Sequence, residues 1–93
     1  MTDIAFQGVS LRPNPEVIAK RLDQVAILVD VSTNRIFELN ETGTRVWELL
    51  GQGLDADRIV HHLVNEFEVE EVRAADEVTS LFVRLQIEGL LAQ

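Results

Sequence analysis

The histidines and acids are the residues of this chain best equipped for chemistry. His61 and His62 are its two imidazoles, and Glu66 follows His62 by four positions, so on a helix one imidazole and one carboxylate would share a face. The two histidines themselves diverge by about 100° on a helix and cannot easily ligate one ion; zinc-type pairs on a helix sit four apart. A solvated or boundary histidine is the simpler reading. Glu66, Glu68, Glu70 and Glu71 could be imagined around a cation, but they lack the Asp-rich, glycine-containing spacing of a calcium hand and read as a solvated turn. Ser10, Ser32 and Ser80 stand in no nucleophile-elbow context, and there is no glycine-rich phosphate loop. With no cysteine in the chain, disulfides, thiolate metal sites and cysteine nucleophiles are excluded together. The expectation is a protein with no catalytic residues, no metal and no cofactor, and so not an enzyme.

Charge narrows the partners. The formal net charge is −8, with eight Lys and Arg against sixteen Asp and Glu. Lys20 and Arg21 are adjacent, but Arg12, Arg35, Arg45, Arg58, Arg73 and Arg84 are scattered among acids, so no basic face is visible for nucleic acid. The 93 residues allow one modest core, and 46% hydrophobic with 26% charged residues is ordinary globular usage, which argues against disorder. No apolar run approaches the roughly 18 residues that span a bilayer. Met1-Thr2-Asp3-Ile4-Ala5-Phe6 lacks the basic start and apolar core of a signal peptide. A cytoplasmic, membrane-free protein is expected.

The elements that would position any site follow from pattern. Residues 1 to 15 read as an N-terminal arm: no period is visible to Leu11, and Pro13-Asn14-Pro15 fixes backbone angles and withholds two amide donors. Such an arm is free to move, to pack on the body or to meet a second copy. Glu16 to Leu22, Val25 to Asp30 and Arg35 to Leu39 suit three strands. Asp23-Gln24 is short enough for a tight hairpin, and Asn34 tolerates the left-handed conformation of a longer loop. The second strand is apolar on both faces, as a shielded central strand would be. The third alternates Phe37 and Leu39 against Ile36 and Glu38, as an edge strand would.

Asn40 is a good N-cap, with Glu41 beside the positive end of the helix dipole. The first helix buries Val46, Trp47, Leu49 and Leu50, and Gly51-Gln52-Gly53 ends it; Gly43 in its first turns indicates close backbone packing. Asp55 or Asp57 caps a second helix with Ile59, Val60, Leu63, Val64 and Phe67 on one stripe. A third helix carries Ala75, Val78, Leu81, Phe82 and Leu85 and ends at Gly89, with Leu90 folding back on the last turn. Strands followed by helices indicate an α+β domain: a three-stranded antiparallel sheet and then three helices.

From Glu16 to Leu91 these residues resemble the PqqD-like family, the precursor-peptide-binding domains also called RiPP recognition elements. Ile27-Leu28-Val29-Asp30 is similar to the family's strand ending in Asp. Leu39-Asn40-Glu41-Thr42-Gly43 is similar to its strand ending in Leu-Asn before a helix with a Thr-Gly step. Glu77-Val78, Leu81, Leu85 and Gly89-Leu90-Leu91 are similar to its closing helix. The chain has Glu77 where the family often has Asp, and it lacks the Cys-Asp-Gly and Gly-Trp features of members serving pyrroloquinoline quinone synthesis. Its Thr42-Gly43 and Val46-Trp47 steps look closer to relatives attached to lasso-peptide and other ribosomal peptide pathways.

The resemblance implies a winged helix-turn-helix body, residues 16–93, with a groove between the third strand and third helix that receives a precursor leader peptide. The implied role is presentation of that peptide to a modifying enzyme, such as a radical SAM enzyme or cyclase, or to a leader protease. Physics agrees, because an edge strand accepts an extended peptide as a further strand. The expected peptide-binding residues are Arg35, Ile36, Phe37 and Glu38 on the strand, with Thr79, Phe82, Val83 and Gln86 on the opposing helix wall. Two other readings compete. A winged-helix DNA-binding regulator shares the layout, but the third helix sets Arg73 and Arg84 against Asp76, Glu77 and Glu88, a poor balance for a polyanion. A structural or oligomerising subunit, for instance a homodimer paired through a free sheet edge, is the third.

Overall fold

The computed structural model describes residues 11–92; most of the expected arm, residues 1–10, lies outside the described residues. Eight elements follow in order: β1 (Arg12–Pro13), β2 (Val17–Leu22), β3 (Val25–Asp30), β4 (Arg35–Leu39), α1 (Glu41–Gly51), α2 (Ala56–Phe67), α3 (Glu71–Ile87) and β5 (Leu91–Ala92). The fold is α+β, as the pattern of strands and then helices predicts. β2, β3 and β4 form an antiparallel sheet with β3 in the centre, while β1 pairs with β5 in a separate two-stranded sheet.

Turn chemistry sets the register. Asp23 (φ 62°) and Asn34 (φ 58°) take left-handed conformations in the two hairpin loops, which short polar side chains tolerate. Asp30 is 3% exposed and organises the second loop: its carboxylate accepts from the Ser32 amide at 3.1 Å and the Ser32 hydroxyl at 2.7 Å. These bonds, the Ser32 hydroxyl first and others from Thr33, outweigh desolvation and hold the Asp30 carboxyl below its usual range.

The sheet is covered on one face. Ala26, Leu28 and Leu39 point inward with Val46, Trp47, Leu49 and Leu50 of α1, Ile59, Val60 and Leu63 of α2, and Val78, Phe82 and Leu85 of α3. The expectation that β3 is shielded on both faces holds for one. Val25, Ile27 and Val29 are half-buried, because only in-sheet neighbours flank them and Ile18 and Ile36, on either side of Val29, are 60% and 70% exposed.

Helix ends follow local rules. Asn40 caps α1, its side-chain oxygen accepting from the Gly43 amide at 2.8 Å. A Cβ at Gly43 would lie 3.2 Å from that same oxygen, so the close packing expected there is with the cap itself. Asp55, rather than Asp57, caps α2 by accepting from the Arg58 amide at 3.0 Å. Glu68 closes α2 in a left-handed conformation (φ 54°).

The start of the described chain is tied to its end. Leu11 is buried, the Asn14 amide donates to the Leu90 carbonyl at 3.0 Å, and Asn14 Nδ2 donates to the Gly89 carbonyl at 2.9 Å. Residues 11–14 of the expected arm therefore pack on the body. Gly89 (φ 76°) allows the reversal that sends the Leu90 amide back to the Leu85 carbonyl at 2.8 Å.

Two outcomes are expected. Glu68→Gly should raise stability by about 0.5 to 1 kcal/mol in urea unfolding, because it removes a side chain from a left-handed position. Asp30 is held ionised more firmly in the fold than in the unfolded chain. Its stabilising contribution is therefore complete above the ordinary carboxylate range, about pH 4, and fades as pH falls through the lowered folded value. Between about pH 5 and about pH 2.5, the urea midpoint of Asp30→Asn should fall less than that of the wild type.

Candidate functional site

Antiparallel pairing decides which backbone groups of the sheet are free. The Val31 amide donates to the Glu16 carbonyl at 3.1 Å, and Val17 pairs with Asp30, so the odd-numbered residues of β3 point their amides and carbonyls at β2. The even-numbered residues of β3 bond to β4, through Asp30↔Arg35, Leu28↔Phe37 and Ala26↔Leu39. By the same alternation Ile36 and Glu38 direct their backbone groups away from the sheet, along an edge with no partner strand among the described residues.

Beside that edge runs a groove floored by the core. Its larger part is a recess of about 430 Å³ between the start of α1 and α3, bounded by Asn40, Thr42, Gly43 and Val46 on one side and Asp76, Glu77, Ser80, Leu81 and Arg84 on the other. A smaller, more enclosed recess continues between β4 and α3, lined by Phe37, Glu38, Leu39, Leu81, Arg84, Leu85, Glu88 and Leu90. Leu81 and Arg84 border both. At the rim the Arg35 guanidinium lies 4.8 Å from the Phe37 ring centroid and reaches Glu88 across the groove, Nη2 to Oε1 at 3.0 Å.

The strand residues named from sequence fall at this place: Arg35 and Phe37 at the rim, Ile36 and Glu38 at the free edge. The helix residues do not. Phe82 is 1% exposed in the core, and Thr79, Val83 and Gln86 lie on the side of α3 turned away from both recesses. The groove wall is made by Glu77, Ser80, Leu81, Arg84 and Glu88, which recur at three and four positions and so share one face. The signal for them was that spacing. It was masked by Val72, Val83 and Ile87, apolar residues that are 59%, 41% and 77% exposed and line neither recess.

The histidine and acid candidates are occupied in a different way. Arg45 of α1 forks onto Glu66 of α2, Nε to Oε1 at 2.7 Å and Nη2 to Oε2 at 3.0 Å, and His62 Nδ1 lies 3.2 Å from Glu66 Oε2. The Arg45 bond holds the Glu66 carboxyl below its usual range, with His62 adding to the effect, and Glu66 in turn raises Arg45. Glu48 joins Arg45 and Arg21 of β2. These pairs brace α1 against α2 and the sheet. Among the described residues no group of three or more His, Cys, Asp or Glu side chains is placed to hold a metal ion, and no helix is long and apolar enough to cross a membrane.

The sequence profile of the family described as coenzyme PQQ synthesis protein D (PqqD) matches residues 26–91, which span β3 to β5. The chain belongs to the PqqD family. None of the curated proteins compared is significantly similar to this PqqD-family chain in sequence. Two solved structures share its fold. One, described as TbiB1 in complex with the TbiA(beta) leader peptide, has a TM-score of 0.82 at 24% identity, over 86% of this chain and 93% of that one. The other, lasso peptide synthetase B1 complexed with the leader peptide, also has a TM-score of 0.82 at 24% identity, over 91% of this chain and all of that one. The PqqD family and the three-strand, three-helix order are thus as the sequence implies.

The placement of Phe82 and Glu88 gives a stability test. Phe82→Ala should cost about 3 to 5 kcal/mol, as truncation of a fully buried aromatic does. Glu88→Gln, which loses only a partly exposed rim pair, should change stability by less than about 0.5 kcal/mol. Urea unfolding followed by Trp47 fluorescence measures both.

Proposed function

We propose that this protein is a binding module that captures the leader region of a ribosomally made precursor peptide as a fourth strand on β4. It performs no covalent chemistry and presents the peptide to a modifying enzyme or leader protease. The observation that carries the reading is the open backbone edge at Ile36 and Glu38 beside a groove walled by α3. An added strand pairs with the backbone at those two positions, and alternate side chains of the peptide turn inward beside Phe37 and Leu39 toward Leu81 and Leu85. Backbone pairing supplies sequence-tolerant affinity, and the recesses supply selectivity. The peptide-binding set is then Arg35, Ile36, Phe37 and Glu38 with Glu77, Ser80, Leu81, Arg84 and Glu88, in place of Thr79, Phe82, Val83 and Gln86.

Both similar structures are described as leader-peptide complexes, and this supports a lasso-peptide or related pathway for the present chain. The DNA-binding alternative gains nothing from the geometry. The groove is bordered by Asp76, Glu77, Glu38 and Glu88, which repel a polyanion.

Proline scanning of the two sheet edges tests strand addition. The Ile36 amide has no sheet partner among the described residues, so Ile36→Pro removes a donor that an added strand would use, and edge positions of this kind tolerate proline. With a fluorescent peptide selected for binding to the wild-type protein, Ile36→Pro should weaken binding roughly tenfold in anisotropy titrations. Ala19→Pro, the equivalent change on the outer edge of β2, should leave binding unchanged. Equal affinity for both variants and the wild type would rule out pairing at β4.

A further inference from the structure

Arg84 is the least explained charge in the groove. It borders both recesses, yet its guanidinium makes no hydrogen bond or ion pair among the described residues. The carboxylates that its helix position offers are committed to other arginines. Glu88, one turn on, is held by Arg35 across the rim at 3.0 Å. Glu77, two turns back on the same face, is met by Arg73 at 3.5 Å. Ser80, one turn back, carries no charge. The result is a planar five-donor fork on a wall shared with the apolar Leu81, Leu85 and Phe37, in a recess that Glu38 of β4 also lines without bonding to it. A guanidinium in that setting is suited to gripping a carboxylate through paired hydrogen bonds.

We propose that Arg84 is the receptor for an acidic side chain of the bound peptide. The groove then selects a segment in which an Asp or Glu lies at a fixed distance from an apolar residue that enters the recess formed by Phe37, Leu39 and Leu85. This inference rests on peptide binding in the groove and adds to it the chemistry of the ligand. The arrangement also explains the Arg35–Glu88 pair: by occupying Glu88, Arg35 keeps Arg84 from closing onto its own helix. A chain of net charge −8 repels acidic peptides at long range, so an acidic residue is accepted only where a cation is presented, which sharpens register as well as identity.

The competing account is that Arg84 is a solvated cation serving only the C-terminal end of the α3 dipole. Selection from a displayed library of random 12-residue peptides separates the two. Three proteins are used: the wild type, Arg84→Glu, and Lys20→Glu, which makes the same charge change on β2 outside the groove. Wild-type and Lys20→Glu pools should both enrich Asp or Glu at one position relative to an apolar anchor, and the Arg84→Glu pool should enrich Lys or Arg there. A synthetic wild-type-selected peptide should bind Arg84→Glu at least about tenfold more weakly, and Lys at its acidic position should reverse the preference.

If peptides are selected that lose affinity with Ile36→Pro but show no acidic position and no inversion in the Arg84→Glu pool, this inference fails while strand addition stands. If the wild type enriches no peptide, both fail.

Discussion

An unpaired strand edge with a covered inner face is the constraint on which the rest of this molecule depends. β4 must hold Phe37 and Leu39 against the core while Ile36 and Glu38 leave their amides and carbonyls without a sheet partner among the described residues. Water satisfies those groups at modest cost, and a second strand satisfies them equally well. The edge of β2 is also free among the described residues, but Ile18 to Leu22 are exposed and no residue of β2 lines either recess. A strand added there would find no wall for its side chains. The difference between the two edges is therefore the presence of α3, and what matters is how α3 is held.

α3 is fixed by its back and by its C-terminal end rather than by broad contact with β4. Ala74, Ala75, Val78, Phe82 and Leu85 bury one face in the core with α2. At the far end the Gly89 reversal, the Leu90 side chain and the Asn14 hydrogen bonds pin the helix to the start of the body. Between these anchors the face carrying Glu77, Ser80, Leu81 and Arg84 stands off the strand, spanned at the rim by Arg35 and Glu88. The ion pairs of Arg45, Glu48 and Glu66 brace α1 and α2, so the opposite wall, at Thr42, Gly43 and Val46, also stands on a supported helix.

Most of the fold was legible because its signals are local. Period-two alternation, Asn34 in a loop, Asn40 before a helix and Gly89 after one each fix a short stretch without reference to the remainder, and the strand and helix bounds follow. The rotational phase of α3 was not legible. Leu81 and Leu85 make one apolar row and Val83 and Ile87 another, so the helix is apolar on more than one side, and only the packing of α2 shows which row goes inward. Reading Phe82 as groove wall was the direct result, since a residue between the two rows passes for either. The pairing of β1 with β5 was equally hidden. Two-residue strands have no period, and Pro13 reads as a break.

That small pairing has a bearing on how the domain can be carried. Arg12 lies opposite Ala92 and Pro13 opposite Leu91, so the body begins and ends at one spot, on neighbouring strands about 5 Å apart. A unit of this kind can be spliced into a surface loop of another polypeptide without stretching its host, or cut open elsewhere and rejoined at these ends by a few residues. The pairing of β1 with β5 thus makes the module portable.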